Sequence, residues 1–312
     1  MNDSTKLITT QHALAVNVIL EAWLNTLDSA NTRRAYRRSM ELALADLGDL
    51  ATLDAVALTH HRQQWVSRMD AKDDTRLSPA TVLRHLSALR SFLRFARITS
   101  QVRLPNDVIE FALKLPTATV VKPYEILTED ERKRLIAVSM GHTRDRVLIT
   151  LALATGLRAM ELCNLTIGDI TQDEQGDLIL RVRKGKGGKD RLVPIDDDTA
   201  VIARSYFAFR KLKPGNARDA KEFFFVSRKG KGHGALSTAH VRRLIDQYVN
   251  KAEIKKPIST HSLRHTFAIR VLGRGASVPV VQKLLGHSSM ATTQRYAAHF
   301  EMADLKAAVN HA

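Results

Sequence analysis

The sequence has little cysteine and no long apolar segment. Its one cysteine, Cys163, lacks a partner for an internal disulfide and neighbours for a zinc site, so we assign the thiol to core packing. The longest mostly apolar run, residues 147–154, lies between Arg146 and Arg158 and is too short to span a bilayer. The N-terminus also lacks the basic-then-apolar pattern of a secretory signal. These shortages predict a cytoplasmic protein.

Acidic residues are in deficit too. The 312 residues include 48 Lys/Arg against 32 Asp/Glu, which gives a formal net charge of +16. Residues 1–115 hold 15 basic against 12 acidic side chains, whereas residues 116–312 hold 33 against 20. Such a balance favours a polyanionic partner, with nucleic acid ahead of an acidic membrane surface. Most of the attraction therefore belongs to the C-terminal part.

A stretch near the C-terminus carries several reactive side chains at helical spacing. His261-Ser-Leu-Arg264 is followed by Gly286-His287 and then by Arg295-Tyr296. Imidazoles, a guanidinium and a phenol suit attack on a phosphodiester, because a phosphoryl group in transit spreads negative charge over its oxygens. A phenol has an ordinary pKa of about 10, so the attack needs a proton acceptor and positive surroundings.

Two upstream motifs supply further cations. Arg158 follows the turn Thr155-Gly156-Leu157, which predicts a guanidinium at the start of a helix, and Glu161 follows at i+3. Lys186 lies in the loop Lys184-Gly-Lys186-Gly-Gly-Lys189, between predicted strands at 178–182 and 191–195; a further short buried strand is predicted at 223–226. This glycine-rich loop lacks the G-x-x-x-x-G-K-[ST] spacing and a following helix, so ATP binding is excluded.

These motifs, in this order, resemble those of the tyrosine recombinases, also called the phage integrase family, over at least residues 125–300. The resemblance implies that the tyrosine attacks the phosphate and that no metal or cofactor is needed, because arginines supply the charge. Glu161 either braces Arg158 or forms a surface ion pair. The implied catalytic set is Tyr296 as nucleophile, Arg158, Arg264 and His287 on the phosphate oxygens, His261 as general base and Lys186 as general acid, with Glu161 and His265 in support.

The fold expected from this resemblance is mainly α, with two domains. A helical, SAM-like core-binding domain precedes a mixed α+β catalytic domain with a small antiparallel sheet, and together they form a C-shaped DNA clamp. The predicted bounds are 1–115 for the first domain, 116–124 for a linker, 125–299 for the catalytic domain and 300–312 for a C-terminal helix. The last helix either docks on a neighbouring protomer or packs in cis.

Hydrophobic periodicity predicts five helices before the linker. After the linker, Thr128 and Glu131 predict a capping box at a helix start. Ser29 to Thr32 form a break before the second helix, and Ser78-Pro79 opens the longest, which in similar recombinases lies over the major groove. The predicted helices span residues 11–28, 33–47, about 59–69, about 79–98 and 106–115.

Candidate DNA contacts are basic or polar side chains on predicted exposed faces and loops. For the arginines around Tyr36, at residues 33–38, a solvated surface remains the alternative to phosphate contact. For His85, an ordinary surface position remains open as well. The candidates are Arg33, Arg34, Tyr36, Arg37, Thr81, Arg84, His85, Arg90, Lys122, Lys184, Lys189, Arg242 and Arg243.

The resemblance implies a site-specific recombinase that cuts and rejoins duplex DNA through a 3′-phosphotyrosine and a Holliday junction. It acts as a homotetramer on DNA, or as a heterotetramer with a paralogue, with accessory DNA-bending proteins as further candidate partners. A type IB topoisomerase-like relaxer and a catalytically silent DNA-binding regulator are the alternatives. Dimer resolution and mobile-element integration or excision both remain open, and no arm-binding domain is expected ahead of the first helix.

Overall fold

The chain forms two compact units, Met1–Val121 and Lys122–Ala312. The computed structural model describes residues 16–116, 125–183, 190–213, 219–227 and 234–286. Each unit has its own apolar core. Among the described residues, no helix is both long enough and apolar enough to cross a membrane.

The described part of the first unit is helical throughout, and the caps set where its helices begin. The Ser29 side chain accepts the Thr32 amide and Asp54 accepts the Ala57 amide, so the second and third helices start three and four residues before the predicted positions. Ser78 caps the longest helix as predicted, with Pro79 in its first turn. The helices are α1 (residues 16–25), α2 (Ala30–Leu47), α3 (Ala55–Ser67), α4 (Pro79–Ile98) and α5 (Asn106–Ala112).

Helix α4 forms the centre of this unit because its apolar residues recur every three or four positions. Val82, Leu86, Leu89 and Leu93 on that face are fully buried. Phe92 packs edge-on against Trp23 of α1 with ring centroids 5.4 Å apart. The opposite face of α4 is left for polar side chains.

The second unit packs helices around a small antiparallel sheet with strand order β1-β2-β3. In the register, Leu180 faces Ile170 on one side and Val193 on the other. The predicted fold class, mainly helical with a small antiparallel sheet, is confirmed. The elements are α6 (Glu129–Ala137), α7 (Thr143–Thr155), α8 (Ala159–Asn164), β1 (Ile170–Gln172), β2 (Leu178–Val182), β3 (Arg191–Pro194), α9 (Asp197–Phe209), α10 (Thr238–Lys251), α11 (Thr260–Gly273) and α12 (Val278–Leu285).

The strands of this unit differ from the prediction in two places. Strand β1 was missed because three residues are too few to show an alternating pattern. The apolar run at 223–226 was predicted as a strand, but it forms only isolated bridges, Thr166 with Phe223 and Val226 with Ala235. Phe224 and Phe225 are both fully buried, so this run packs as an aromatic cluster and not as a pleated strand.

Candidate active site

The turn between α7 and α8 places Arg158 at the start of α8. Gly156 ends α7 in the left-handed region, with φ of +62°. A Cβ at this position would lie 2.5 Å from Phe267 Cδ1 and 2.8 Å from Leu285 Cδ2, so only glycine fits. This close approach brings the ends of α7 and α12 together beside α11.

Arg264, on α11, lies buried between two helix ends. Its Nη1 donates to the carbonyl oxygen of Gly156 at 2.6 Å, and its Nη2 donates to that of Leu285 at 2.6 Å. Both carbonyls stand at helix C-termini, which carry partial negative charge and unpaired acceptors. The fork of the guanidinium therefore joins α7 to α12.

Arg158 is half-buried and bound to Glu161, one turn further along. Nη1 of Arg158 donates to Glu161 Oε1 at 2.8 Å, and its backbone N–H donates to Oε2 at 2.8 Å. Nη2 lies 3.4 Å from the carbonyl oxygen of Gly286. The Glu161 side chain is only 11% exposed, so this contact is no solvated surface pair.

Arg191, the first residue of β3, completes this group and was not predicted as a functional residue. Its Nη1 and Nη2 donate to Glu161 Oε1 at 2.9 Å and Oε2 at 2.7 Å, and its Nε donates to the carbonyl oxygen of Leu284 at 2.7 Å. The available sequence signal was a cation at an inward-facing position of a strand. Arg191 lies on the same face of β3 as the buried Val193, two residues later.

Three guanidiniums thus converge on the end of α12; we call Arg158, Arg191 and Arg264 the arginine cluster. Helix-end carbonyls and one carboxylate offset the repulsion between these cations. Burial by itself would raise the pKa of Glu161, but hydrogen bonds from Arg191 and from the Arg158 backbone, with both positive charges, lower it to about 2. The three carbonyls are consecutive: Leu284 for Arg191, Leu285 for Arg264 and Gly286 for Arg158.

His261 lies in the first turn of α11, one turn before Arg264. Its ring meets the buried ring of His265 edge-on, with centroids 4.7 Å apart. Partial desolvation, then the charges of Arg264 and Arg158, hold the pKa of His261 below its ordinary value of 6.5. The ring is therefore neutral at pH 7, which is the form that accepts a proton.

The remaining members of the implied catalytic set lie outside the described residues. Gly286 ends α12 with φ of +64°, and the described part of the chain stops there, one residue before His287. Within the described residues, no group of three or more His, Cys, Asp or Glu side chains is arranged to hold a metal ion. Outside the described residues lie Lys186, His287 and Tyr296, the DNA candidates Lys122, Lys184 and Lys189, and the predicted helix 300–312.

Some DNA-contact candidates are exposed. Arg34 on α2 and Arg84 on α4 point to solvent, as do Arg242 and Arg243 on α10. Thr81 is half-buried, and its hydroxyl is 2.8 Å from that of Ser78. These side chains are accessible to a large partner.

Other candidates are held within the protein. Arg33 donates to the Leu27 carbonyl at 2.7 Å, and Arg37 forms a two-bond ion pair with Glu21. Glu21 lies within α1 and Leu27 just after it, so the two arginines join α1 and the turn that follows it to α2. Two more are also engaged: Arg90 pairs with Glu110, and the ring of Tyr36 stacks on that of Trp23.

The prediction that His85 contacts DNA was wrong. The residue is 1% exposed, and its Nε2 is 2.8 Å from His61 Nε2, while His61 Nδ1 pairs with Asp46. Its ring also stacks on Trp65. Burial, followed by the charges of His61 and Arg84, lowers the pKa of His85 to about 3. The helical pattern placed this histidine among polar residues, but a neutral imidazole packs as a core side chain.

Comparison with known proteins agrees with this geometry. Residues 125–302 match the Phage integrase family, and residues 20–98 match the N-terminal SAM-like domain of phage integrases. Tyrosine recombinase XerA of Pyrococcus furiosus is 38% identical over 213 residues, which cover 68% of this chain and 67% of the relative. Tyrosine recombinase XerD of Corynebacterium glutamicum is 31% identical over 296 residues, which cover 91% and 94%.

A solved structure extends the likeness to both units. The crystal structure of XerA recombinase is 28% identical in sequence, with a TM-score of 0.52, and the match covers 95% of this chain and 98% of that one. The family match spans more than half of the sequence. The chain therefore belongs to the phage integrase family and is a tyrosine recombinase, an enzyme of site-specific DNA recombination.

Proposed function

We propose that this recombinase cuts and rejoins a specific duplex DNA site through a 3′-phosphotyrosine at Tyr296, and exchanges strands by way of a Holliday junction. The observation that carries the proposal is the arginine cluster, in which Arg158 and Arg191 share the carboxylate of Glu161 and Arg264 is fixed beside them by two helix-end carbonyls. Such fixed positive charge suits a phosphodiester in its transition state. The link to tyrosine conserves the phosphodiester energy, so rejoining needs neither ATP nor a metal.

The chemistry divides among the implied catalytic residues. Arg158 and Arg264 bind the non-bridging oxygens, which planar forks suit better than ammonium groups do. His287 donates a hydrogen bond to the same oxygens. His261, neutral at pH 7, accepts the phenol proton as Tyr296 attacks. Lys186 protonates the 5′-oxygen as it leaves, and His265 orients the site.

The burial of other tyrosines supports Tyr296 as the nucleophile. Tyr206 and Tyr248 lie in the core of the catalytic unit and are 1% and 2% exposed. Tyr36 belongs to the other unit and stacks on a tryptophan. A phenol enclosed in a core cannot reach a phosphate in duplex DNA, so Tyr206 and Tyr248 are unsuited to attack. Tyr124 lies outside the described residues.

Duplex DNA carrying a specific recombination site is the proposed partner, and the cytoplasm is the proposed place of action. The helical domain 1–115 and the catalytic domain 125–299, joined by the linker 116–124, both contact the duplex. The phosphate backbone is contacted by four exposed arginines: Arg34 and Arg84 of the first unit, and Arg242 and Arg243 of the second. Protomers assemble as a homotetramer, or as a heterotetramer with a paralogue, and the helix 300–312 docks on a neighbour.

A type IB topoisomerase-like relaxer remains the second candidate for the same chemistry. A relaxer needs no second duplex. An assay for strand exchange between two DNA molecules therefore distinguishes a recombinase from a relaxer. A silent DNA-binding regulator is disfavoured because no position of the implied catalytic set is replaced in the sequence.

The test uses wild type and Tyr296→Phe on a duplex library made from the gene's flanking DNA. Each duplex carries a nick that lets the short 5′-hydroxyl fragment diffuse away and traps the covalent complex. We expect a denaturant-resistant protein–DNA band with wild type only, and sequencing of the trapped DNA then gives the target site. Binding without a covalent band in either protein would favour the regulator, and an equal band with the variant would exclude Tyr296.

A further inference from the structure

We propose that Arg191 is a positioning residue for strand cleavage, which holds Glu161 so that the guanidinium of Arg158 stays available to the scissile phosphate. The inference rests on the proposed function, because it requires Arg158 to bind that phosphate. Arg191 itself contacts no substrate in this account. It acts through the carboxylate that it shares with Arg158.

The geometry divides the carboxylate unequally. Arg191 donates from both Nη atoms to Glu161, at 2.9 and 2.7 Å, whereas the Arg158 side chain donates one hydrogen bond to Glu161, at 2.8 Å. A paired fork on a carboxylate is among the strongest contacts of a guanidinium. Without Arg191, both oxygens of Glu161 are open to the Arg158 fork, and such a pair competes directly with the phosphate.

The charge balance points the same way. Glu161 is a single buried anion between two cations, so the group of three carries a net positive charge. Removal of Arg191 leaves Arg158 and Glu161 as a neutral pair beside Arg264. A negatively charged transition state is then stabilised less. Arg191 therefore contributes to the field at the phosphate as well as to geometry.

Arg191 also fixes β3 to the end of α12. Its Nε donates to the Leu284 carbonyl at 2.7 Å, and its Cδ and Nη1 lie 3.1 and 3.2 Å from where a Cβ would stand at Gly286. A lysine has one donor atom and cannot reach the carboxylate and the carbonyl together. The whole guanidinium, and not charge alone, is needed at this position.

The test measures single-turnover formation of the covalent complex on a nicked duplex with wild type, Arg191→Met and Arg191→Lys. Each protein is assayed on a normal phosphodiester and on a methylphosphonate, in which one charged oxygen is a methyl group. We expect Arg191→Met to slow cleavage of the phosphodiester roughly 100-fold, as misplacement of a binding group does. On the methylphosphonate, the same change should slow cleavage less than about tenfold, because less charge is left to stabilise.

Controls separate positioning from folding. Arg181→Met removes an exposed arginine from the neighbouring strand, where it pairs with Asp190, and should leave both rates unchanged. Arg191→Lys keeps the charge and should fall between wild type and Arg191→Met; it carries the comparison if the methionine variant does not fold. DNA affinity should match wild type in every variant.

Three results would overturn the inference. Equal slowing on both substrates would mean that Arg191 only maintains structure. Unchanged cleavage of the phosphodiester by Arg191→Met would mean that Glu161 needs no second partner. No covalent complex with wild type, despite DNA binding, would overturn the proposed function itself and remove the premise.

Discussion

Arg264 and Gly156 are 108 residues apart in sequence, yet Nη1 of the arginine donates to the glycine carbonyl at 2.6 Å. The contact exists because α7 ends in the left-handed region and turns this carbonyl toward α11. A glycine in a turn and an arginine inside a helix are thus parts of one arrangement. Its stability sets where the phosphate-binding groups stand.

Replacement of Gly156 by alanine should be costly. Its φ of +62° strains an alanine, and the new Cβ would meet Phe267 at 2.5 Å. We expect the free energy of unfolding to fall by roughly 3 kcal/mol or more, from strain and overpacking together. Gly176→Ala is the matched control, because Gly176 has a φ of +87° and nothing within 4 Å. It should lose roughly 1–2 kcal/mol from strain alone. Denaturant unfolding measures both, and equal losses would refute the packing argument.

Arg264→Lys should impair cleavage although it keeps the charge. An ammonium cannot span the carbonyls of Gly156 and Leu285, so the ends of α7 and α12 lose their common partner. We expect covalent complex formation to slow roughly 100-fold. Arg274→Lys, at the exposed end of the same helix, should cleave at the wild-type rate. Equal activity in the two variants would show that the bridging fork is dispensable.

The pH profile of cleavage should reveal a base with a lowered pKa. Partial desolvation and the charges of Arg264 and Arg158 lower the pKa of His261 from 6.5. The ring then stays neutral through pH 7, and the single-turnover rate should fall only below pH 6.5, as the ring gains a proton. His261→Asn should be slow with this limb removed, whereas exposed His142→Asn should retain it. An unchanged limb in His261→Asn would assign the base elsewhere.

Acid should destabilise the catalytic unit through Glu161. Its folded pKa of about 2 lies below the ordinary value of 4.5, so the contribution is full above pH 4.5 and is lost as pH falls toward 2. The difference corresponds to something on the order of 3 kcal/mol. Hydrogen exchange of α8 and β3 against pH measures the loss. Glu161→Gln should show weaker pH dependence over this window, and an identical slope would contradict the assignment.

The first unit should respond to pH through His85. Its folded pKa of about 3 is depressed from 6.5, so the unfolded state binds a proton first and stability falls as pH drops from 6.5 toward 3. Both tryptophans, Trp23 and Trp65, lie in this unit, so their fluorescence follows its unfolding alone. His85→Leu should flatten the slope. Arg84→Ala should instead keep stability and weaken DNA binding; the reverse pattern would restore His85 as a DNA contact.

Local signals were enough to predict much of the fold. The Ser78-Pro79 start, the Thr128–Glu131 capping box and the hairpin of β2 and β3 are each set by a few neighbouring residues, and the structure has all three. Helix starts at Ala30 and Ala55 were placed late. The whole segment Ser29–Thr32 was taken as the cap, whereas Ser29 alone is the cap, and Asp54 was passed over in favour of the apolar pattern.

Contacts between side chains that are distant in the sequence could not be predicted from local patterns. Motif order brought Arg158 and Arg264 into one site, but nothing local indicated that Arg191 would face the same carboxylate from another element. The prediction for His85 was wrong for the same reason, because its partner His61 lies on another helix. Buried polar groups are defined by the partners that the fold supplies, and those are separated in sequence.

The central claim is that Tyr296 forms a covalent link to DNA. After reaction with a nicked target duplex, nuclease and trypsin digestion should release the peptide of residues 296–306, bounded by Arg295 and Lys306. Mass spectrometry should find this peptide carrying a 3′-phosphonucleotide on its tyrosine. A nucleotide on any other residue, or an unmodified peptide in the denaturant-resistant protein–DNA complex, would contradict the account.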